Sequence, residues 1–362
     1  MELHRLLTTM VQHGASDLHL QAGSPPTLRI HGRLTPAKAD ALTGEAIMAY
    51  VSEMVSDDQR RRLDEHRALD FAYRVPGAAR FRVAVFYERD APAMVLRQIP
   101  EEPPRFEGLG LPAVLEDIAR AERGLVVVTG TTGSGKSTTL AAMIDWINRN
   151  RASRIITIED PIEFVHPPVK SLIAQREVGL DATGFLASLR EALRQDPDVL
   201  LIGELRDQET MATALQAADT GHLVLATIHT TNAMQTIQRI IAMFPAAERD
   251  LMLMQLATNL EAIISQRLAR AVDGKGRVPV VEVLRGISIT RKVILEGAMS
   301  KLSQVMASQD MGMQLFDQHL IELYREGRIS GTEALRLATN PEAVKLSRTG
   351  ISTSDLAGGL VR

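Results

Sequence analysis

Gly130-Thr131-Thr132-Gly133-Ser134-Gly135-Lys136-Ser137 fits the pattern G-x-x-x-x-G-K-[ST] and directly follows the apolar run Leu125-Val126-Val127-Val128. A strand that delivers the chain into such a loop places backbone N–H groups around an anion. The next helix adds the positive end of its dipole. The glycines let the backbone close on phosphate oxygens with no Cβ in the way. Lys136 then reaches the β and γ phosphates, and Ser137 offers its hydroxyl to Mg²⁺. Thr138 continues the same phosphate-binding stretch. The chemistry implied is nucleotide binding, and the acids at neighbouring strand ends decide which reaction the bound nucleotide undergoes.

Ile155-Ile156-Thr157-Ile158 runs into Glu159-Asp160-Pro161-Ile162-Glu163, and Val199-Leu200-Leu201-Ile202 runs into Gly203-Glu204. In many phosphate-loop ATPases the second position carries an Asp that organises Mg²⁺, followed by a Glu that orients the attacking water. Here Gly203 stands at the Asp position and Glu204 remains. Glu204 is therefore the expected water-orienting residue. Glu163, with Glu159 or Asp160, is expected to serve Mg²⁺ or its coordinated waters. The competing reading is that these acids cap turns and pair with neighbours such as Arg206. His222 and His229 bracket the apolar run Leu223 to Ile228. Their spacing puts them on opposite faces of a strand, which excludes a local metal pair. His229, at the carboxyl end, is placed to sense a γ-phosphate, while either histidine alone would also suit a turn.

These residues need a scaffold, and the pattern beyond residue 113 supplies one. Buried apolar strands alternate with helices: Leu125 to Thr129, Lys136 to Asn150, Ile155 to Ile158, Gly184 to Gln195, Val199 to Ile202, Leu223 to Ile228. Such alternation predicts an α/β unit with a parallel sheet covered on both faces, and ligands at the carboxyl ends of its strands. After Pro245 the chain reads as helical, with Ala246 to Arg270 a long helix and Phe316, Leu320, Leu323 and Tyr324 an apolar stripe ended by Gly327. Residues 1–100 read as a smaller α+β unit. It has strands at Ser16 to Gln21 and Thr27 to Leu34, a helical stretch from Glu45 to Glu65, and a hairpin from Leu69 to Glu88 through Pro76-Gly77. Arg80 and Arg82 fall on one face of that hairpin's second strand, with Phe81, Val83 and Val85 on the other. Residues 101–112, opening in a proline-rich run, are the linker; 113–345 form the larger unit with its C-terminal helices, and 346–362 a loose tail.

Composition narrows the function classes. A chain of 362 residues that is 45% hydrophobic and 23% charged is an ordinary globular protein with room for two domains. A formal charge of −3 and only 4% aromatic residues argue against a nucleic-acid partner. With no cysteine, disulfides, thiolate catalysis and the common zinc sites are excluded. No apolar run reaches the roughly 18 residues of a membrane span, so cytoplasmic residence without membrane insertion is expected.

The motifs together resemble the secretion and type IV pilus ATPases. Leu193 to Asp207 resembles that family's signature around the second acidic strand end, Ile158 to Phe164 its aspartate box, and Thr220-Gly221-His222 through His229-Thr230-Thr231 its histidine box. The likeness extends from Ser16-Asp17-Leu18 to Gly312-Met313-Gln314, nearly the whole chain. It implies a PAS-like N-terminal domain and a RecA-like motor domain, assembled as a homo-oligomeric ring of six subunits that hydrolyse ATP with Mg²⁺. It also implies that Arg82 and Arg97 are directed at nucleotide phosphates. A chain of this length without cysteines fits the PilT/PilU family of pilus retraction ATPases better than assembly or secretion motors. Ser288 to Glu296 departs from the Ala-Ile-Arg-Asn-Leu-Ile-Arg-Glu segment of PilT. Gln175 to Asp181, Gly274 to Val278 and Gly312 to Gln318 resemble PilU. The implied partners are a PilT-like paralogue and the inner-membrane platform protein at the pilus base. The implied function is retraction and twitching motility; the alternative is a nucleotide-binding ring subunit that hydrolyses little and assists the paralogue.

Overall fold

The computed structural model describes residues 2–348 apart from 31, 76–78 and 101. The expected Pro76-Gly77 turn and nearly all of the expected tail lie outside the described residues. The chain divides into two compact units, one comprising Met1–Glu102 with Pro161–His166, the other Pro103–Asp160 with Pro167–Arg362.

The first unit is the expected small α+β fold. Its strands are β1 (Asp17–Gln21), β2 (Thr27–Ile30), β3 (Arg33–Pro36), β4 (Ala68–Val75), β5 (Ala79–Glu88) and β6 (Ala91–Ile99), in one sheet of order β3-β2-β1-β6-β5-β4. Every pairing is antiparallel. Helices α1 (Leu3–Gln12), α2 (Gly44–Met54) and α3 (Asp57–His66) complete it. The single stretch expected from Glu45 to Glu65 is thus two helices, because Ser56 opens a capping box with Gln59 that starts α3 afresh. Phe81, Val83 and Val85 are buried with Leu18, Leu20 and Leu96, so the apolar face of β5 is core as its alternation predicts. Helix α1 buries Leu3, Leu6, Leu7 and Met10, a helical spacing that was present in the sequence.

The second unit is RecA-like. Its strands are β7 (Gly124–Thr129), β8 (Arg154–Glu159), β9 (Leu172–Glu177), β10 (Val199–Ile202), β11 (Leu223–Ile228), β12 (Leu260–Arg270) and β13 (Arg277–Arg285). They form one sheet of order β13-β12-β7-β11-β10-β8-β9, parallel throughout except for the β12–β13 pair. Helices α4 (Phe106–Leu109) and α5 (Val114–Ala119) precede β7. Between strands run α6 (Lys136–Asn150), α7 (Phe185–Ala192), α8 (Gln208–Asp219), α9 (Ala233–Ala242) and α10 (Arg249–Asn259). After β13 come α11 (Ser288–Leu295), α12 (Leu302–Ala307), α13 (Phe316–Arg325), α14 (Gly331–Leu337) and α15 (Pro341–Arg348). Two apolar clusters cover the sheet, one around Leu125, Val127 and Ile156 and the other around Val126, Val128 and Ile264, as a parallel sheet buried on both faces requires.

Two expectations fail. The helix expected over Ala246 to Arg270 is helical in α10 and then becomes β12. Residues Ala262 through Ser265 are all fully buried, so this strand shows no polar–apolar alternation and mimics a buried helix in the sequence. Leu, Glu, Ala, Gln and Arg also give the segment a good helix propensity, which pairing with both β7 and β13 overrides. The loose tail expected from residue 346 does not begin there, because residues 346–348 close the helix α15. Asp317 accepts the Thr339 and Asn340 N–H groups, Asn340 accepts from Ala343 N–H, and Val344 is fully buried. Tertiary anchors supply order that local composition does not advertise.

Candidate nucleotide site

All residues of β7 are buried, and the strand delivers the chain into the phosphate loop at Gly130. Gly130, Gly133 and Gly135 have φ of 146°, 77° and 95°, the region that favours glycine. A Cβ on Gly130 would collide with Ser134 Oγ and come within 2.6 Å of the Gln266 carbonyl, so glycine is required there by space as well as by φ. Lys136, 8% exposed, donates from Nζ to the carbonyls of Gly130 at 3.0 Å and Thr131 at 3.2 Å. Its ammonium thus lies against the loop itself. Ser134 Oγ is buried without a hydrogen-bond partner, an orphaned donor inside the cradle, which suits a bound phosphate. Ser137 and Thr138 are half-buried in the first turn of α6, where hydroxyls can meet Mg²⁺ and phosphate oxygens.

The acidic strand ends arrive from β8 and β10. Glu204 lies just past β10 and is anchored from both sides: Gly203 N–H donates to Ile158 O at 2.8 Å and Leu205 N–H to Thr227 O at 3.0 Å. Its carboxylate accepts from Arg206 Nε at 2.7 Å and lies 3.7 Å from His229 Nε2. The Arg206 pairing anticipated as the competing reading is therefore present. It coexists with a His229 contact that joins two predicted site residues. Gly203 has a backbone reason for replacing an acid: a Cβ there would sit 3.2 Å from Ile158 O and 3.3 Å from the Phe185 ring. Glu159 accepts from Thr157 Oγ1 at 2.6 Å and Gln175 Nε2 at 3.1 Å, so it belongs to a side-chain network at the end of β8. Asp160 and Glu163 are exposed, and Glu163 falls in the segment grouped with the first unit. His222 is a turn residue, its Nδ1 near Ala217 O at 2.9 Å and Thr220 Oγ1 at 3.2 Å. No group of three metal-ligating side chains occurs among the described residues.

In the first unit Arg82 and Arg97 lie directly opposite each other on β5 and β6, and Asp17 of β1 lies opposite Arg97. Arg97 Nε donates to Asp17 Oδ1 at 2.7 Å while its side chain remains 66% exposed. Arg82 has no ion-pair or hydrogen-bond partner among the described residues. Burial pushes the Asp17 carboxyl up, but the Ser16 hydroxyl and Arg97 pull it further down, so its net shift is downward and it stays ionised. Sequence reasoning missed Asp17 as the anchor of Arg97. Its signal was an acid at a position of β1 alternating with apolar Leu18 and Leu20.

The family model described as "Type II/IV secretion system protein" matches residues 1–346. The type IV pilus ATPase PilU of Pseudomonas aeruginosa is 44% identical over 96% of this chain and 91% of its own length. The type IV pilus retraction ATPase PilT of the same organism is 43% identical over 94% and 99%. A crystal structure of the pilus retraction motor PilT with bound ADP superposes with a TM-score of 0.90 at 42% identity, covering 96% of this chain and 99% of that one. A glycine-lined phosphate loop, a Glu–His pair at adjacent strand ends and full-length similarity converge on one conclusion: the chain belongs to the Type II/IV secretion system protein family, within its PilT/PilU group.

Proposed function

We propose that this chain is an ATP-hydrolysing motor subunit of the type IV pilus machinery that drives or assists pilus retraction. The observation that carries the reading is the phosphate loop beside the Glu204–His229 pair, in a chain similar to PilU and PilT over nearly its whole length. Loop N–H groups and Lys136 hold the β and γ phosphates of ATP. Glu204 orients the attacking water, and His229 links that carboxylate to the γ-phosphate. Mg²⁺, bound with ATP, would spread the charge that develops on the phosphates; Ser137 would hold it, with Glu163 acting through water. Arg82 and Arg97 neutralise phosphate charge from the N-terminal domain, in a ring of six subunits. A trans-acting arginine is worth about 10³ to 10⁵ in rate, which would make turnover depend on assembly.

The PilU-like segments support a role beside a PilT-like paralogue, in the cytoplasm at the inner-membrane platform of the pilus base, with no nucleic-acid partner. No helix among the described residues is long and apolar enough to cross a membrane. The Glu204–Arg206 ion pair gives some weight to a second reading, a nucleotide-binding subunit with little hydrolysis of its own. Deleting the gene with and without its paralogue and measuring pilus retraction under load tests the proposed role. Deletion is expected to weaken retraction when the paralogue is present, and the chain alone is expected not to replace it. Unchanged retraction in the single deletion would contradict the assignment.

A further inference from the structure

A buried polar row crosses the sheet of the second unit behind the phosphate loop. Glu282 of β13 lies opposite Ser265 of β12, Ser265 opposite Thr129 of β7, and Thr129 opposite Ile228 of β11. Thr129 and Ser265 are fully buried and Glu282 nearly so, where polar side chains are costly unless paired. Thr129 Oγ1 donates to Ser265 Oγ at 3.0 Å. The Ser265 hydroxyl helps to stabilise the Glu282 carboxylate, and Glu282 Oε1 accepts from the backbone N–H of Ala233 at 2.8 Å. One end of this row immediately precedes Gly130, and the other is the first residue of α9.

Helix α9 is entered through the turn His229-Thr230-Thr231-Asn232. Asn232 Oδ1 accepts from Gln235 N–H at 2.8 Å, and Thr230 Oγ1 lies 2.7 Å from Thr236 Oγ1. The turn is thereby stitched to the helix that Glu282 holds. Apolar side chains of similar volume would fill these buried positions without the desolvation cost of a carboxylate, so stability alone does not account for the row. We infer that Glu282 is a positioning residue for hydrolysis: it fixes the first turn of α9, and with it His229, in register with the entry to the phosphate loop at Thr129.

This inference rests on the reading of the loop and His229 as an ATPase site. The test compares ATP turnover and binding of a fluorescent ADP analogue for the full-length parent, Glu282→Leu and Glu282→Gln. Leucine removes the acceptor for Ala233 N–H, so kcat should fall at least about ten-fold, while KM and ADP affinity stay within about two-fold. Glutamine retains an acceptor oxygen and should recover kcat to within about three-fold of the parent. Should Glu282→Leu not fold, Ser265→Ala serves instead, with kcat down roughly three- to ten-fold at unchanged ADP affinity. Parental kcat in the folded leucine variant overturns the inference. So does parallel loss of ADP affinity and kcat, or a glutamine variant as slow as leucine. In the Ser265→Ala arm, parental kcat or lost ADP affinity overturns it. A parent that binds ADP but does not hydrolyse ATP refutes the underlying ATPase reading instead.

Discussion

Glu282 is also where pH should register in this protein. Burial pushes its carboxyl from an ordinary 4.5 up to about 7, against the Ala233 N–H, the Arg267 charge and the Ser265 hydroxyl, which all favour the ionised form. Between those two values the folded chain holds a proton that the unfolded chain has released. The associated stability is fully present below pH 4.5 and is lost as pH rises through about 7. Glu282→Gln has no such proton, so its stability relative to the parent should increase from pH 5 to pH 8. Urea midpoints of the two proteins at both pH values measure this; an identical difference at the two pH values would contradict it. Lys136 and Ser137 open α6 at the end of the loop, and Glu204 lies 3.7 Å from His229 across adjacent strand ends, a contact that neither residue's own sequence context states. The Asp17 anchor of Arg97 and the Thr129–Ser265–Glu282 row were not legible. Each depends on which residues lie opposite across strands, which one strand's sequence does not state.

At the scale of elements, the phosphate loop's shape depends on two different uses of glycine. Gly130 combines a positive φ with an approach to the Gln266 carbonyl that leaves no room for a Cβ, whereas Gly133 has a positive φ in open space. Gly133→Ala should therefore cost about 1 kcal/mol, the strain of a left-handed alanine. Gly130→Ala should cost more, about 1 to 3 kcal/mol, and should weaken ADP binding because β12 must shift to admit the methyl. Denaturant midpoints should place the two in that order; equal midpoints would show that the Gln266 approach is unimportant. Strands β7, β8 and β10 were legible because short apolar runs end in Gly or acid, and α6 matches its expected span from Lys136 to Asn150. Strand β12 was not, because its buried middle shows no alternation with exposed positions and it comes after a helix with no Gly or Pro between them. Its identity comes from its neighbours β7 and β13.

For the whole molecule, the two units carry different patterns of charge. The second unit contributes the phosphate cradle, Glu204 and His229; the first carries a cross-strand row in which Arg29, Asp17, Arg97 and Arg82 succeed one another across β2, β1, β6 and β5. Asp17 ties down Arg97, whereas Arg82 has no ion-pair or hydrogen-bond partner among the described residues. An expected boundary between a small α+β unit and a larger α/β one was readable from the proline-rich run and from the apolar strands alternating with helices beyond it. Assignment of Pro161–His166 to the first unit was not, since that grouping reflects contacts distant in sequence. The loop at Gly130 to Ser137 is expected to turn ATP over. This turnover is tested most directly by steady-state phosphate release from the purified full-length chain, its Lys136→Ala variant and its Glu204→Gln variant. Mg²⁺-dependent turnover is expected in the parent, none above background in Lys136→Ala, and a fall of at least about 10²-fold in Glu204→Gln with ADP binding retained. Parental rates in either variant would contradict this.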